Sequence, residues 1–155
     1  MKPADFQILA DLLKDKSGLM LTPDKSYLLE SRLAPLARTR GLTGVEDLTA
    51  ELKSTQDKQL ITDIVEAMTT NESLFFRDTA PFEQFKGVVL PQLMEARKFS
   101  KTIRIWSAAC SSGQEPYSLC MLLRELGDVL AGWRVEIIGT DLSSDILTKA
   151  ESGVY

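Results

Sequence analysis

The sequence predicts an α/β chain: a small all-α part first, then the opening β-α-β-α of a parallel sheet. Three observations predict it. Apolar residues recur at helical spacing through the first 70 positions, with no strand signal. Two β-rich runs then follow, Thr102-Ile103-Arg104-Ile105-Trp106 and Arg134-Val135-Glu136-Ile137-Ile138. A helical pattern lies between them, and two strands joined by a helix imply parallel pairing with a right-handed crossover.

Phe6, Leu9, Leu12 and Leu13 mark the first helix, which Ser17-Gly18 ends. Thr22-Pro23 reads as a start signal, a capping hydroxyl before Pro at the first helical position. The helix that follows carries Leu28, Leu29, Leu33 and Leu36 and stops at Gly41. Pro35 is expected to kink or split it near Ala34, because Pro lacks an N–H and crowds the preceding turn. A short helix begins at Thr43. Another runs from about Asp57 to Met68 and reads as a linker, giving a helical domain over 1–56, a linker helix over 57–70 and a second domain over 71–155.

A helix from Thr79-Ala80-Pro81 buries Phe82, Phe85, Val88 and Val89, is restarted by Pro91 and ends near Phe99. Trp106 is expected in the strand core. Pro116 opens a helix carrying Leu119, Leu122, Leu123 and Leu126, and Ser143 caps the last one. Two strands are fewer than the roughly four to six of an ordinary sheet. The sequence is therefore expected to be the front part of a larger protein, with open sheet edges through which copies can associate.

Composition removes several kinds of chemistry. The 155 residues contain no histidine, so imidazole bases, His-dependent nucleophiles and His metal ligands are absent. Cys110 and Cys120 fit neither a CxxC pair nor a zinc pattern and read as reduced thiols; no metal site is expected. A net charge of −4 argues against a general nucleic-acid binder. No run is apolar enough for membrane insertion, the N-terminus is not a signal peptide, and a cytoplasmic location is expected. The charge is uneven. Lys25, Arg32, Arg38 and Arg40 stand against Glu30 alone over 25–40, a candidate docking surface that competes with an ordinary solvated helix face.

The loop Trp106-Ser107-Ala108-Ala109-Cys110-Ser111-Ser112-Gly113-Gln114-Glu115-Pro116 lies where the first strand feeds a helix, the usual ligand position in open α/β sheets. Asp141 closes the second strand, where an acid can accept hydrogen bonds from ribose hydroxyls. GxGxxG is absent, and Glu115 puts a carboxylate where a pyrophosphate would need positive potential. S-adenosylmethionine has no phosphate and carries an ammonium and a sulfonium, so two acids suit it. On these residues alone a methyltransferase leads, with another nucleotide binder, a nucleotide-dependent oxidoreductase among them, and a non-binding α/β domain still open.

The segments TTNESLFFRD at 69–78, WSAACSSGQEPYSL at 106–119 and GTDLSSDILTKAESGVY at 139–155 closely resemble the CheR family, the chemotaxis-receptor glutamate O-methyltransferases. The resemblance covers essentially the whole chain. It implies a truncated Rossmann-like S-adenosylmethionine-dependent domain after the helical one, with S-adenosylhomocysteine as product. It further implies that Asn71, Ser73 and Arg77 line the cofactor pocket, that Glu115 binds the cofactor and that Asp141 holds its ribose. Arg77 is the candidate catalytic residue. Ser73 stands where the family often has Thr, and GQEPYS replaces the more usual GEEPYS, leaving Glu115 as the acid. The basic helix over 25–40 would be the receptor-docking helix, with Lys25, Arg32, Arg38 and Arg40 facing chemoreceptor cytoplasmic helices. A non-catalytic docking module is the other reading of that surface.

Overall fold

The computed structural model describes residues 1–155. The chain divides into two compact units, Met1–Thr70 and Asn71–Tyr155. In the first unit α1 (Pro3–Ser17), α2 (Ser26–Thr39), α3 (Val45–Thr55) and α4 (Lys58–Met68) follow one another through short turns. Leu9, Leu13, Leu29, Leu33, Leu48, Leu60 and Ile64 are fully buried in one core. Burying such a side chain stabilises by about 1.5–3 kcal/mol, so this apolar stripe rather than helix propensity holds the unit.

Three expectations need correcting here. The helix expected as a linker over 57–70 is part of the helical unit, because α4 places Leu60, Ile64, Val65 and Met68 in that core. Thr22 makes no side-chain cap; a single 3-10 turn at Pro23–Lys25 precedes α2 instead. Pro35 neither splits nor ends α2. It sits on the exposed face, so the carbonyl it leaves unpaired meets water, while Leu29, Leu33 and Ala37 pin both halves of the helix to the core.

Two of the basic residues of α2 and its end are turned inward. The Arg32 guanidinium donates to the carbonyls of Met68 (2.7 Å) and Thr69 (3.0 Å) and to Thr70 Oγ1 (2.9 Å), closing the carbonyl end of α4. Arg40 donates to Glu51 (2.9 Å), Asp57 (3.3 Å) and Asp63 (3.4 Å). Desolvation works to lower its pKa, but Asp63, Asp57 and Glu51 together outweigh it and hold the guanidinium above the ordinary arginine range. Lys25 and Arg38 are exposed on the surface.

In the second unit α5 (Thr79–Gln84) and α6 (Leu90–Ala96) are joined by a π turn at Phe85–Val89, so the chain runs helically from 79 to 96. Pro91 does not restart this helix. The Leu90 N–H reaches back to the Phe85 carbonyl, and the widened turn relieves the crowding Pro91 imposes on the turn before it. β1 (Thr102–Ala108), α7 (Gln114–Glu125), β2 (Arg134–Thr140) and α8 (Ser144–Ser152) follow. The strands pair in parallel, Thr102 against Arg134 through Ala108 against Thr140. β-Alternation sends Ile103, Ile105, Val135 and Ile137 to one face, where they pack with Leu90, Leu123 and Phe85. Trp106 is corrected from core to surface: it lies on the other face, 71% exposed beside Ile138, and its indole donates to Thr140 Oγ1 (2.9 Å). Arg104 and Arg134 both pair with Glu136, and the two guanidinium groups hold that carboxyl below the usual carboxylate range. No helix in either unit is long and apolar enough to cross a membrane.

Two substitutions test this packing. Arg32→Ala is expected to lower unfolding stability by about 1.5–3 kcal/mol, since it strips charge-assisted bonds from carbonyls at a helix end. Pro35→Ala is expected to raise it, by about 1–3 kcal/mol, by restoring a helical N–H. Urea unfolding followed by circular dichroism reads both.

Candidate functional site

The site is built where both strands end. β1 feeds the loop 109–113, in which Ala109 (φ 59°), Ser111 (φ 52°) and Gly113 (φ 98°) are all left-handed. Three of the loop's amides are then satisfied internally. Cys110 N–H donates to the Thr140 carbonyl (2.9 Å), Gly113 N–H to the Cys110 carbonyl (3.0 Å) and Ser111 N–H to Asp141 Oδ2 (2.8 Å). The other oxygen of Asp141 accepts from Ser143 N–H (3.1 Å). One carboxylate therefore ties the turn after β1 to the turn after β2.

Asp141 is not the cap of α8. Ser143 fills that place, its Oγ accepting from Ile146 N–H (3.4 Å). Two glycines are dictated by close approach. A Cβ at Gly139 would lie 2.9 Å from Cys110 Sγ, and one at Gly113 would lie 2.6 Å from the Tyr155 hydroxyl.

The segment 71–78 joins the same place. Ser111 Oγ donates to the Asn71 carbonyl (2.7 Å), and Phe76 N–H donates to Ser118 Oγ (2.9 Å), which itself donates to the Gln114 carbonyl (2.6 Å). Phe76 (φ 51°) and Asp78 (φ 54°) are left-handed on either side of Arg77. Four of the six non-glycine residues with left-handed backbone thus fall in these two segments, where a local cost of order 1 kcal/mol each is carried by the surrounding bonds.

The expected residues sort clearly. Asn71 and Asp141 are brought together through Ser111. Glu115, exposed in the first turn of α7, accepts from the buried Ser107 of β1 (2.7 Å), which sets the carboxylate at a favourable helix N-terminus. Ser73 is half-buried on the same segment as Asn71. Arg77 is exposed and donates one Nη to the Glu72 carbonyl (2.9 Å), leaving other donors of its fork for a ligand. Phe75 and Phe76 pack edge-on against Tyr155 and Phe82. The sequence reading missed Ser107, Ser111, Ser118 and Tyr155. The serines carry a signal, a run of small hydroxyl residues at a strand end; Tyr155 carries none.

Both halves of the chain match models of one family. Residues 71–155 match the CheR methyltransferase SAM-binding domain, and residues 4–69 match the CheR methyltransferase all-alpha domain. The chain belongs to the CheR methyltransferase family. Chemotaxis protein methyltransferase 1 of Pseudomonas aeruginosa is 46% identical over 98% of this chain and 56% of its own length. Chemotaxis protein methyltransferase Cher2 of Pseudomonas putida is 39% identical over 97% of this chain and 56% of its own. The Escherichia coli chemotaxis protein methyltransferase is 32% identical over 100% of this chain and 51% of its own. The chain spans about half the length of the curated relatives it matches. S-adenosylmethionine is the cofactor that the CheR domain implies.

The site fits that cofactor in the chemistry of its donors. Three loop amides are already spent, so the turn is not the open amide cradle that a pyrophosphate needs. Acids supply its polar edge instead.

The two thiols should separate by reactivity. Both are free, Cys110 buried and Cys120 exposed. Desolvation pushes both thiols above their ordinary value, and the Asp141 charge adds to it at Cys110 alone, so access and that added charge are what separate them. At pH 8 iodoacetamide is expected to label Cys120 before Cys110 in peptide mass mapping. Because the folded thiol titrates above the unfolded one, whatever Cys110 adds to stability is present at neutral pH and lost as the solution becomes strongly alkaline.

Proposed function

We propose that this chain forms the receptor-docking and cofactor-binding front of an S-adenosylmethionine-dependent methyltransferase acting on chemoreceptor glutamate side chains. The observation that carries the reading is Asp141, held at the strand ends by two backbone amides with lone pairs still open toward solvent. Asp141 would accept from ribose hydroxyls, while Glu115, Asn71, Ser73 and Arg77 would line the rest of the pocket. When bound, S-adenosylmethionine supplies a methyl group already activated on a positive sulfur.

The chain's own groups have a modest task. A glutamate acceptor has a free pKa of about 4.3 and is ionised at neutral pH, so no general base is required, in keeping with the absence of histidine. What remains is to hold an oxygen in line at about 3–3.5 Å and to keep water away. Arg77 is suited to orient a carboxylate, because its planar fork donates without accepting a proton. Lys25 and Arg38 are the exposed cations of the 25–40 stretch, beside the exposed Glu30, and would face acidic receptor helices; Arg32 and Arg40 serve the fold first.

Calorimetry with the 155-residue chain tests the cofactor half. S-adenosylhomocysteine is expected to bind and NAD to give no heat. Asp141→Ala and Glu115→Ala should each weaken binding about tenfold, the loss of a charge-assisted bond. NAD binding in place of S-adenosylhomocysteine would overturn the reading. In an active enzyme carrying this segment, Arg77→Ala is expected to cut turnover about 100-fold at unchanged thermal midpoint, the scale of losing reactant orientation. Undiminished turnover would remove Arg77 from the chemistry. Lys25→Ala with Arg38→Ala should weaken binding of a receptor fragment and flatten its salt dependence.

A further inference from the structure

Tyr155, three residues past the end of α8, is more than a surface residue. Its hydroxyl donates to the Ser112 carbonyl (2.7 Å), inside the loop that Asp141 anchors from the other side. The same oxygen stands where a side chain at Gly113 would begin. Its ring meets Phe75 edge-on at 4.8 Å and Tyr117 edge-on at 5.7 Å. Phe75 belongs to the segment that gives the Asn71 carbonyl to Ser111. Tyr117 lies in α7, two residues after Glu115, and its own hydroxyl donates to the Ala150 carbonyl of α8 (3.1 Å). One aromatic ring thus comes from each of three segments, and of the three side chains only that of Tyr155 also bonds the loop.

We propose that Tyr155 is a positioning residue for S-adenosylmethionine, holding loop 109–113 and segment 71–77 together in the shape that binds. The proposal rests on the cofactor reading of the site. Tyr155 remains 56% exposed, so its ring fills little of the core, and what it contributes is the fixed carbonyl of Ser112 and the ring edge against Phe75. Desolvation and the neighbouring Tyr117 push its hydroxyl above the ordinary tyrosine value, so it stays a donor through neutral and mildly alkaline solution.

Tyr155→Phe removes the hydroxyl and keeps the ring. Tyr117→Phe removes the neighbouring hydroxyl, whose acceptor is on α8 rather than in the loop. Calorimetry with S-adenosylhomocysteine and thermal unfolding are run on the parent chain and both variants. Tyr155→Phe is expected to weaken binding about fivefold, with the unfolding midpoint lowered by no more than a few degrees, the scale of one hydrogen bond. Tyr117→Phe is expected to bind as the parent does. In methyl-transfer assays Tyr155→Phe should raise KM for S-adenosylmethionine and leave kcat unchanged, a split that a general loss of folded protein does not produce. Equal affinity of parent and Tyr155→Phe, or an equal loss in Tyr117→Phe, overturns the positioning role alone. A parent chain that binds no S-adenosylhomocysteine while remaining folded overturns the cofactor reading, and this proposal with it.

Discussion

The second unit depends on an exchange, at a half-buried position, between one carboxylate and two backbone amides. A parallel pair leaves its strand ends without hairpin constraints, because the connection runs through a helix. The turns after β1 and β2 therefore have no local reason to stay in register. Asp141 supplies that reason by accepting from Ser111 and Ser143 at once. Such charge-assisted bonds are short and roughly twice as strong as neutral ones. They also compensate for the left-handed backbone at Ala109 and Ser111, which an unsupported loop would relax away.

That arrangement decides which ligands the strand ends suit. Phosphate-binding turns keep amides free and exploit a positive helix end. Here the amides of Cys110, Ser111 and Gly113 are consumed within the protein, and Glu115 adds negative charge at the start of α7. The same β-α-β framework that elsewhere receives a dinucleotide is thereby retuned by a few residues, without any change of topology.

The architecture was readable because it rests on periodicity. Helical spacing in residues 6–13 and 60–68, and β-rich runs at 103–106 and 134–138, are signals that burial enforces. The strand-end positions of Glu115 and Asp141 follow from the sequence pattern, whereas Asn71 came only from the family resemblance; the ligand roles of all three are proposed. What was not readable depended on tertiary partners. Pro35 looked like a break because its exposed setting on α2 was invisible, and α4 looked like a linker because its core partners lie far earlier in the chain, in α1 and α2. Charge counting suggested four surface cations over 25–40, yet Arg32 and Arg40 find partners at Met68–Thr70 and among Glu51, Asp57 and Asp63. A serine run says that hydroxyls are near a site, not which carbonyl each one will reach.

Trp106 gives the molecule an optical probe. One of two tryptophans, it presents its indole to water on the uncovered side of the sheet, whereas Trp133 is half-buried against the other side. A wet indole emits at longer wavelength and is reached by dissolved iodide. Any polypeptide laid over that side would shift the emission toward the blue and shield it from the quencher, so occupancy of the bare sheet can be followed by light alone, with no label attached.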